Sequence, residues 1–330
     1  MRVAAIDIGT NSVRLLVAEV ETTAAGAGEL LTLARAGEPC RLGRGLHESG
    51  RISEEMAERA AQVAGDFARR ARGLGARHIV LGATAALRSA ANGAEVAERI
   101  AAKCAVPLRI LTGNDEAQLV YRAVIAGLGN RARRSPCVVF DLGGGSTEII
   151  SGVGLSAGRW ISLPFGAVTL TERYLRSDPV DNEEVEALTA MVEQNLMQHC
   201  ASLPSATPLL AGVGGTVTLL AMLDRGLESY EPTALEGWLI PTDRLKQLVN
   251  RLRGMRHAER IALPAMGEGR ADIVVAGAIV VEILSRRFPS SGLVCSTQGL
   301  RYGLARLAAE EAESAATANP TGGSNPTPLA

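Results

Sequence analysis

The sequence predicts an α/β protein built from two copies of one plan that face each other across a cleft. Two observations carry this. First, the chain matches itself. Residues 3–16 read as an apolar strand ending in an aspartate, a glycine turn with hydroxyls, and a second apolar strand; residues 138–150 read the same way. Asp7 aligns with Asp141, Gly9 with Gly143, Ser12 with Ser146, Leu15 with Ile149 and Leu16 with Ile150, all at one separation (141 − 7 = 134). Second, strand-like apolar runs alternate with helical periods in both halves, the mark of a layered α/β domain. At 330 residues the chain is long enough for two domains, each with its own core.

Taken in order, the first half opens with the hairpin, and residues 30–34 continue as a third strand. Gly43, Gly45 and Gly50 mark a loop. Ser53 is an N-cap for a helix to about Arg72, with Glu54 and Glu55 suited to its first turn. Met56, Ala60, Val63, Ala64 and Phe67 recur at helical spacing and form its core face. A strand at 79–81, a helix from about Ala94 to Lys103, a strand at 107–111 and a helix from near Asp115 to about Gly127 follow. The second half repeats the theme. A third strand is expected at 159–163, and helices at about 167–175 and 181–200. A strand at 209–211 enters Gly212-Val213-Gly214-Gly215-Thr216 and a helix at 217–223. That junction suits either an anion at a helix N-terminus or a tight β–α turn. Helices after Thr242 and over 270–287, a strand at 293–295 and a last helix to about Glu313 complete the pattern. From Ser314 the Ala, Thr, Asn, Pro, Gly and Ser composition predicts a disordered tail.

Composition narrows the function classes. With 47% apolar and 21% charged residues the chain is globular. Aromatic residues are only 3% and the net charge is −1, which argues against a nucleic-acid polymer as partner. The cysteines (Cys40, Cys104, Cys137, Cys200, Cys295) have no C-x-x-C spacing and read as buried reduced thiols of a cytoplasmic protein. The histidines are equally dispersed. Asp7 falls where a signal peptide needs an apolar core, and the apolar stretch 273–284 is short and carries Glu282, so no membrane role is expected.

The two hairpins are the informative motif. Glycines at the bend free backbone N–H groups to approach a phosphate closely, and the aspartate ending the first strand can hold a divalent cation. Such duplicated Asp-x-Gly hairpins resemble the phosphate loops of the actin-like (ribonuclease H-like) fold. More specific matches narrow the resemblance. Thr112-Gly113-Asn114-Asp115-Glu116-Ala117 resembles the helix start of the exopolyphosphatase and guanosine pentaphosphate phosphohydrolase (Ppx/GppA) family, and residues 141–148 resemble that family's Asp-x-Gly-Gly-Gly-Ser-Thr-Glu block at every position. Residues 270–277 and 299–303 also resemble family signatures, and the likeness covers about residues 2–308.

The resemblance implies a site. Glu116 and Arg88 are the catalytic candidates; Thr10, Asn11, Ser12, Gly143, Gly144, Gly145, Ser146, Thr147, Gly214, Gly215 and Thr216 are the phosphate-binding ones; Asp141, Glu148 and Asp7 are the metal-side carboxylates. The helix dipole would favour ionised Glu116, making it a weak base that orients water more than it deprotonates it. The implied cofactor is Mg²⁺, with a monovalent cation as an accessory. The expected activity is exopolyphosphatase, removing terminal phosphate from inorganic polyphosphate. The absence of a further C-terminal extension suggests short chains. Rivals are hydrolysis of guanosine pentaphosphate, an actin-like small-molecule kinase and a nucleotide-sensing scaffold. The implied organisation is domain I over 1–127, domain II over 128–298, a C-terminal helix over 299–313 returning to domain I, and a tail over 314–330, in a homodimer. Asp115 and Tyr302 depart from the family pattern, which has glutamate at the first position and an acidic residue at the second.

Overall fold

A computed structural model of the chain describes residues 1–23, 26–266 and 269–318. The first half runs β1 (Arg2–Ile8), β2 (Ser12–Thr23), β3 (Gly26–Pro39), α1 (Leu46–Ser49), α2 (Glu54–Gly73), β4 (His78–Ala83), α3 (Ala85–Ser89), α4 (Gly93–Cys104), β5 (Leu108–Ile110) and α5 (Gly113–Leu128). After α6 (Asn130–Arg133) come β6 (Pro136–Leu142), β7 (Thr147–Val153), β8 (Ser156–Leu163), α7 (Ala167–Tyr174), α8 (Asn182–His199), β9 (Leu209–Val213) and α9 (Gly215–Arg225). The chain continues through α10 (Pro232–Leu235), β10 (Leu239–Ile240), α11 (Thr242–Gly254), α12 (His257–Ile261), α13 (Val274–Arg287), β11 (Leu293–Cys295) and α14 (Leu300–Ala318).

The internal match is structural. One sheet has the order β3-β2-β1-β4-β5, the other β8-β7-β6-β9-β11 with β10 added at its edge. In each, the aspartate strand has an antiparallel partner on one side and a parallel one on the other. Asp7 lies opposite Arg14, and Asp141 opposite Glu148, so the offset of 134 holds across the ladder. Both turns close with the same bond, Gly9 N–H to Ser12 O and Gly143 N–H to Ser146 O, each 3.0 Å.

Three apolar cores hold the layers. Alanine-rich α2 packs with α4 on the outer face of the first sheet through Ala60, Ala64, Phe67 and Ile100. Helices α8, α9, α11 and α13 cover the outer face of the second sheet. Between the sheets lie α5 and α14, whose side chains meet Val3, Ala5 and Leu16 of one sheet and Val139, Ile150 and Ala211 of the other. The sheets therefore share a core, which brings the hairpin turns together.

Three expectations are corrected. β3 extends well beyond residues 30–34, because its whole length pairs with β2 although its glycines and alanines carry little strand signal. The helix expected from residue 270 starts at Val274; Gly269 at φ +69° precedes a turn in which Arg270 O accepts the amides of Ile273 and Val274. α14 continues past Glu313 to Ala318, with Ser314 Oγ donating to Glu310 O, so 314–318 are helical, consistent with alanine's high helix propensity. Residues 319–330 lie outside the described part.

Candidate active site

The two hairpin turns touch. An ideal Cβ on Gly145 would lie 2.9 Å from Thr10 Oγ1, and one on Gly144 would lie 3.1 Å from both Thr10 Cβ and Val168 Cγ2. Glycine is what permits this approach. The loop carbonyls point into neighbouring structure. Thr10 O accepts Gly43 N–H, Asn11 O accepts Cys40 and Arg41 N–H, and the carbonyls of Gly143 and Gly144 accept the first amides of α7. The amides of Thr10, Asn11, Gly144 and Gly145 have no backbone acceptor among the described residues. Amides left free on facing loops are the arrangement in which a backbone nest can receive an anion.

Glu116 lies in the first turn of α5. Thr112 caps the helix by accepting Asp115 N–H at 3.2 Å, and Asp115 returns the bond to Thr112 N–H at 3.1 Å. The family departure at Asp115 is thereby explained, since a capping box needs only a carboxylate at this position. Glu116 itself is 5% exposed. Arg88 Nη1 donates to Glu116 Oε2 at 3.1 Å and to Leu111 O at 2.8 Å, which leaves Nε and Nη2 without a protein partner among the described residues. Burial, then the charges of Glu148 and Asp141, push the Glu116 carboxyl well above the usual glutamate range against the pull of Arg88. The helix dipole does not dominate here, and Glu116 is a stronger base than its position in α5 suggests.

Asp141 and Glu148 face each other as cross-strand neighbours. Burial and the Glu148 charge raise Asp141 to about 7, with Arg14 opposing. Glu148 is also raised by burial, although Ser162 Oγ donates to it at 2.8 Å. Asp7 is raised by burial against Arg14 and Arg301. Buried carboxylates that repel one another suit a hard cation. Among the described residues, no three His, Cys, Asp or Glu side chains converge as a protein-only metal centre, so Asp7, Asp141 and Glu148 do not encircle one point. Mg²⁺ commonly uses one or two carboxylates with waters and phosphate oxygens, and Asp141 with Glu148 fits that pattern.

Other expected phosphate ligands divide by geometry. Gly214 at φ +110° caps α9, and a Cβ there would lie 2.5 Å from Leu142 O, which ties α9 to the second hairpin. An ideal Cβ on Gly215 would be 3.8 Å from Arg270 Cζ and 3.9 Å from Arg14 Nη2, so two guanidinium groups sit at this helix N-terminus. Two side chains are oriented away from the role expected of them. The Thr147 hydroxyl donates to Phe165 O at 2.7 Å in the core, and Thr216 Oγ1 faces α13, where a Cβ on Gly277 would reach it at 2.4 Å. The Thr147 hydroxyl is thus already committed to a carbonyl in the core. Arg14 is a further charged residue of this cleft that no motif singles out; the only sign of it in the sequence is its place opposite Asp7 in the repeated hairpin, where the second copy has Glu148.

Fold and site together define a duplicated actin-like α/β protein with a phosphate-handling cleft. The profile of the Ppx/GppA phosphatase family matches residues 18–310. The chain belongs to that family and is a phosphatase hydrolase. It is 37% identical over 293 residues to exopolyphosphatase 2 of Mycobacterium tuberculosis strain H37Rv, covering 86% of this chain and 90% of the relative. It is 30% identical over 311 residues to exopolyphosphatase 1 of Mycobacterium bovis, covering 92% and 87%. The crystal structure of the Aquifex aeolicus Ppx/GppA family member superposes with a TM-score of 0.79 at 30% identity, covering 95% of this chain and 98% of that one.

Proposed function

We propose that the protein is an exopolyphosphatase that removes the terminal phosphate of inorganic polyphosphate. The observation that carries this reading is the buried Glu116, held by Arg88 and near the charges of Glu148 and Asp141, beside two loops in which the amides of Thr10, Asn11, Gly144 and Gly145 have no backbone acceptor among the described residues. The loop amides, including those of Ser12 and Ser146, and the α9 N-terminus would grip phosphate oxygens, while the free part of Arg88 would hold the terminal phosphoryl group. Glu116 would orient a water and accept its proton as the water oxygen bonds to phosphorus. The bridging P–O bond breaks, releasing orthophosphate and a chain one unit shorter. Mg²⁺ held by Asp141 and Glu148 would shield phosphate charge. Arg14 counters Asp7 and Asp141 and so prepares the cleft for an anion. We read the molecule as a cytoplasmic homodimer of two-domain subunits, divided as the sequence suggests. No helix among the described residues is long and apolar enough to cross a membrane.

The test is phosphate release with Mg²⁺ from short polyphosphate, long polyphosphate, guanosine pentaphosphate and ATP, beside Glu116→Gln. Release from polyphosphate that collapses in the variant supports the reading; release from guanosine pentaphosphate alone overturns it.

A further inference from the structure

Arg35, Arg270 and Arg301, which cluster beyond Arg14, are not used by the reaction described above. On the face of the first sheet that carries α14, Arg35 lies opposite Leu16, two residues along the ladder from the Arg14–Gly37 pair. An ideal Cβ on Gly37 would lie 3.7 Å from Arg14 Cγ, so the stem of Arg14 passes over this glycine while its Nη2 reaches to 3.9 Å from a Cβ on Gly215. α14 supplies Arg301 and Tyr302 above them. Tyr302 is 2% exposed. Its ring lies 5.5 Å from the Arg35 guanidinium and 5.9 Å from that of Arg301. The Tyr302 hydroxyl accepts a hydrogen bond from Arg35 Nη2, which also donates to Thr32 Oγ1 at 3.2 Å. From the other half, Tyr230 receives Arg301 Nη2 at 3.5 Å, and Arg270 approaches Arg14 at Gly215.

Arg14, Arg270, Arg301 and Arg35 make no ion pair within 4 Å among the described residues; Asp7 and Asp141 offset Arg14, and Asp7 also offsets Arg301. Arg35 Nε is buried with no acceptor. Clustered guanidinium groups repel one another, and burial without counter-charge is costly. Burial and the neighbouring arginines weaken the hold of Arg270 and Arg301 on their protons, the direction an anion would reverse. The cluster is also continuous with the reaction centre, because Arg14 is the counter-charge of Asp141.

We propose that Arg301 and Arg35, fixed by Tyr302 and faced by Tyr230, form a distal subsite for phosphates remote from the scissile end of the chain. Arg14 and Arg270 lead from the reaction centre to it. The neutral Tyr302 is the specificity device. A carboxylate at this position would neutralise the guanidinium groups, whereas the phenol holds Arg35 in place and leaves its charge available. The subsite favours polyphosphates long enough to reach it over tripolyphosphate.

This inference rests on the exopolyphosphatase reading, and its test separates the two. The kcat/KM values of the full-length wild type, Arg35→Gln and Tyr302→Phe are compared on tripolyphosphate and on long-chain polyphosphate. Loss of a charged hydrogen-bonding group should lower the long-to-short ratio about 10-fold in Arg35→Gln. Tyr302→Phe, which keeps the ring and removes only the hydroxyl, should lower it about 3-fold, less than Arg35→Gln because the guanidinium charge itself is retained. Binding of the same two polyphosphates to Glu116→Gln protein, with and without Arg35→Gln, is measured in parallel by calorimetry. Absence of turnover in the wild type would count against the function alone, and the binding ratio would still report on the subsite. Equal weakening for both chain lengths, or none, in folded Tyr302→Phe and Arg35→Gln proteins overturns the proposal; a selective loss for the long chain supports it.

Discussion

At Glu116 two electrostatic effects oppose each other. A helix N-terminus favours a carboxylate by about 0.3–1 kcal/mol when exposed. Removal from water beside Glu148 and Asp141 acts in the other direction and wins. The acid limb of kcat/KM against pH should therefore lie above the ordinary glutamate range, with activity rising as Glu116 loses its proton. Glu116→Gln should lower phosphate release by about 10²-fold or more with the fold intact, as steady-state assays would show. Asp141 makes a separate prediction about stability. Its unfolded value is 3.8 and its folded value about 7, so between these the folded chain holds a proton that the unfolded chain has released. Stability must then fall as pH rises through that window, by up to about 4 kcal/mol. In metal-free protein, Asp141→Asn should flatten the change in denaturant midpoint between pH 5 and pH 8. An unchanged slope would mean that Asp141 ionises normally.

The elements that matter most begin at turns. The Thr112–Asp115 box fixes the first turn of α5, and Glu116 N–H bonds to Thr112 O at 3.0 Å, so the cap and the proposed catalytic carboxylate share one backbone. Thr112→Ala should cost about 1 kcal/mol of stability and lower kcat, measured by unfolding and by turnover. At the start of α9, Gly214→Ala combines a left-handed backbone with a Cβ 2.5 Å from a carbonyl. It should cost at least about 1–3 kcal/mol and move the second hairpin; a wild-type melting temperature would refute this. Much of this scale was legible. The hairpins, α5 and α9 could be placed from glycine spacing, capping residues and apolar period. The extent of β3 could not, because pairing with β2 and not local propensity holds it. The late start of α13 escaped too, since nothing local to 270–273 forbids a helix.

For the molecule as a whole, α5 and α14 form the layer between the sheets. They approach so closely that a Cβ on Gly303 would lie 2.5 Å from Leu119 O, and Leu304 fills the space over Gly82. Leu304 is fully buried. Leu304→Ala should cost about 2–5 kcal/mol. Because α14 also carries Arg301, the same variant should weaken polyphosphate binding, which calorimetry at a temperature where the protein stays folded would detect. Unchanged affinity would mean that Arg301 keeps its place without this packing.

By itself the sequence determined the duplicated plan, the family and the positions of the candidate glutamate and of the two glycine hairpins. Those depend on local pattern: strand alternation, glycine at tight bends and a capping box are readable within a few residues. Only the tertiary structure decided how strongly Glu116, Asp141 and Glu148 hold their protons, which way the Thr147 and Thr216 hydroxyls face, and that Arg14, Arg35, Arg270 and Arg301 gather at one rim of the cleft. Burial and charge proximity arise between segments far apart in the chain, so these properties exist only once the two sheets close on their shared core.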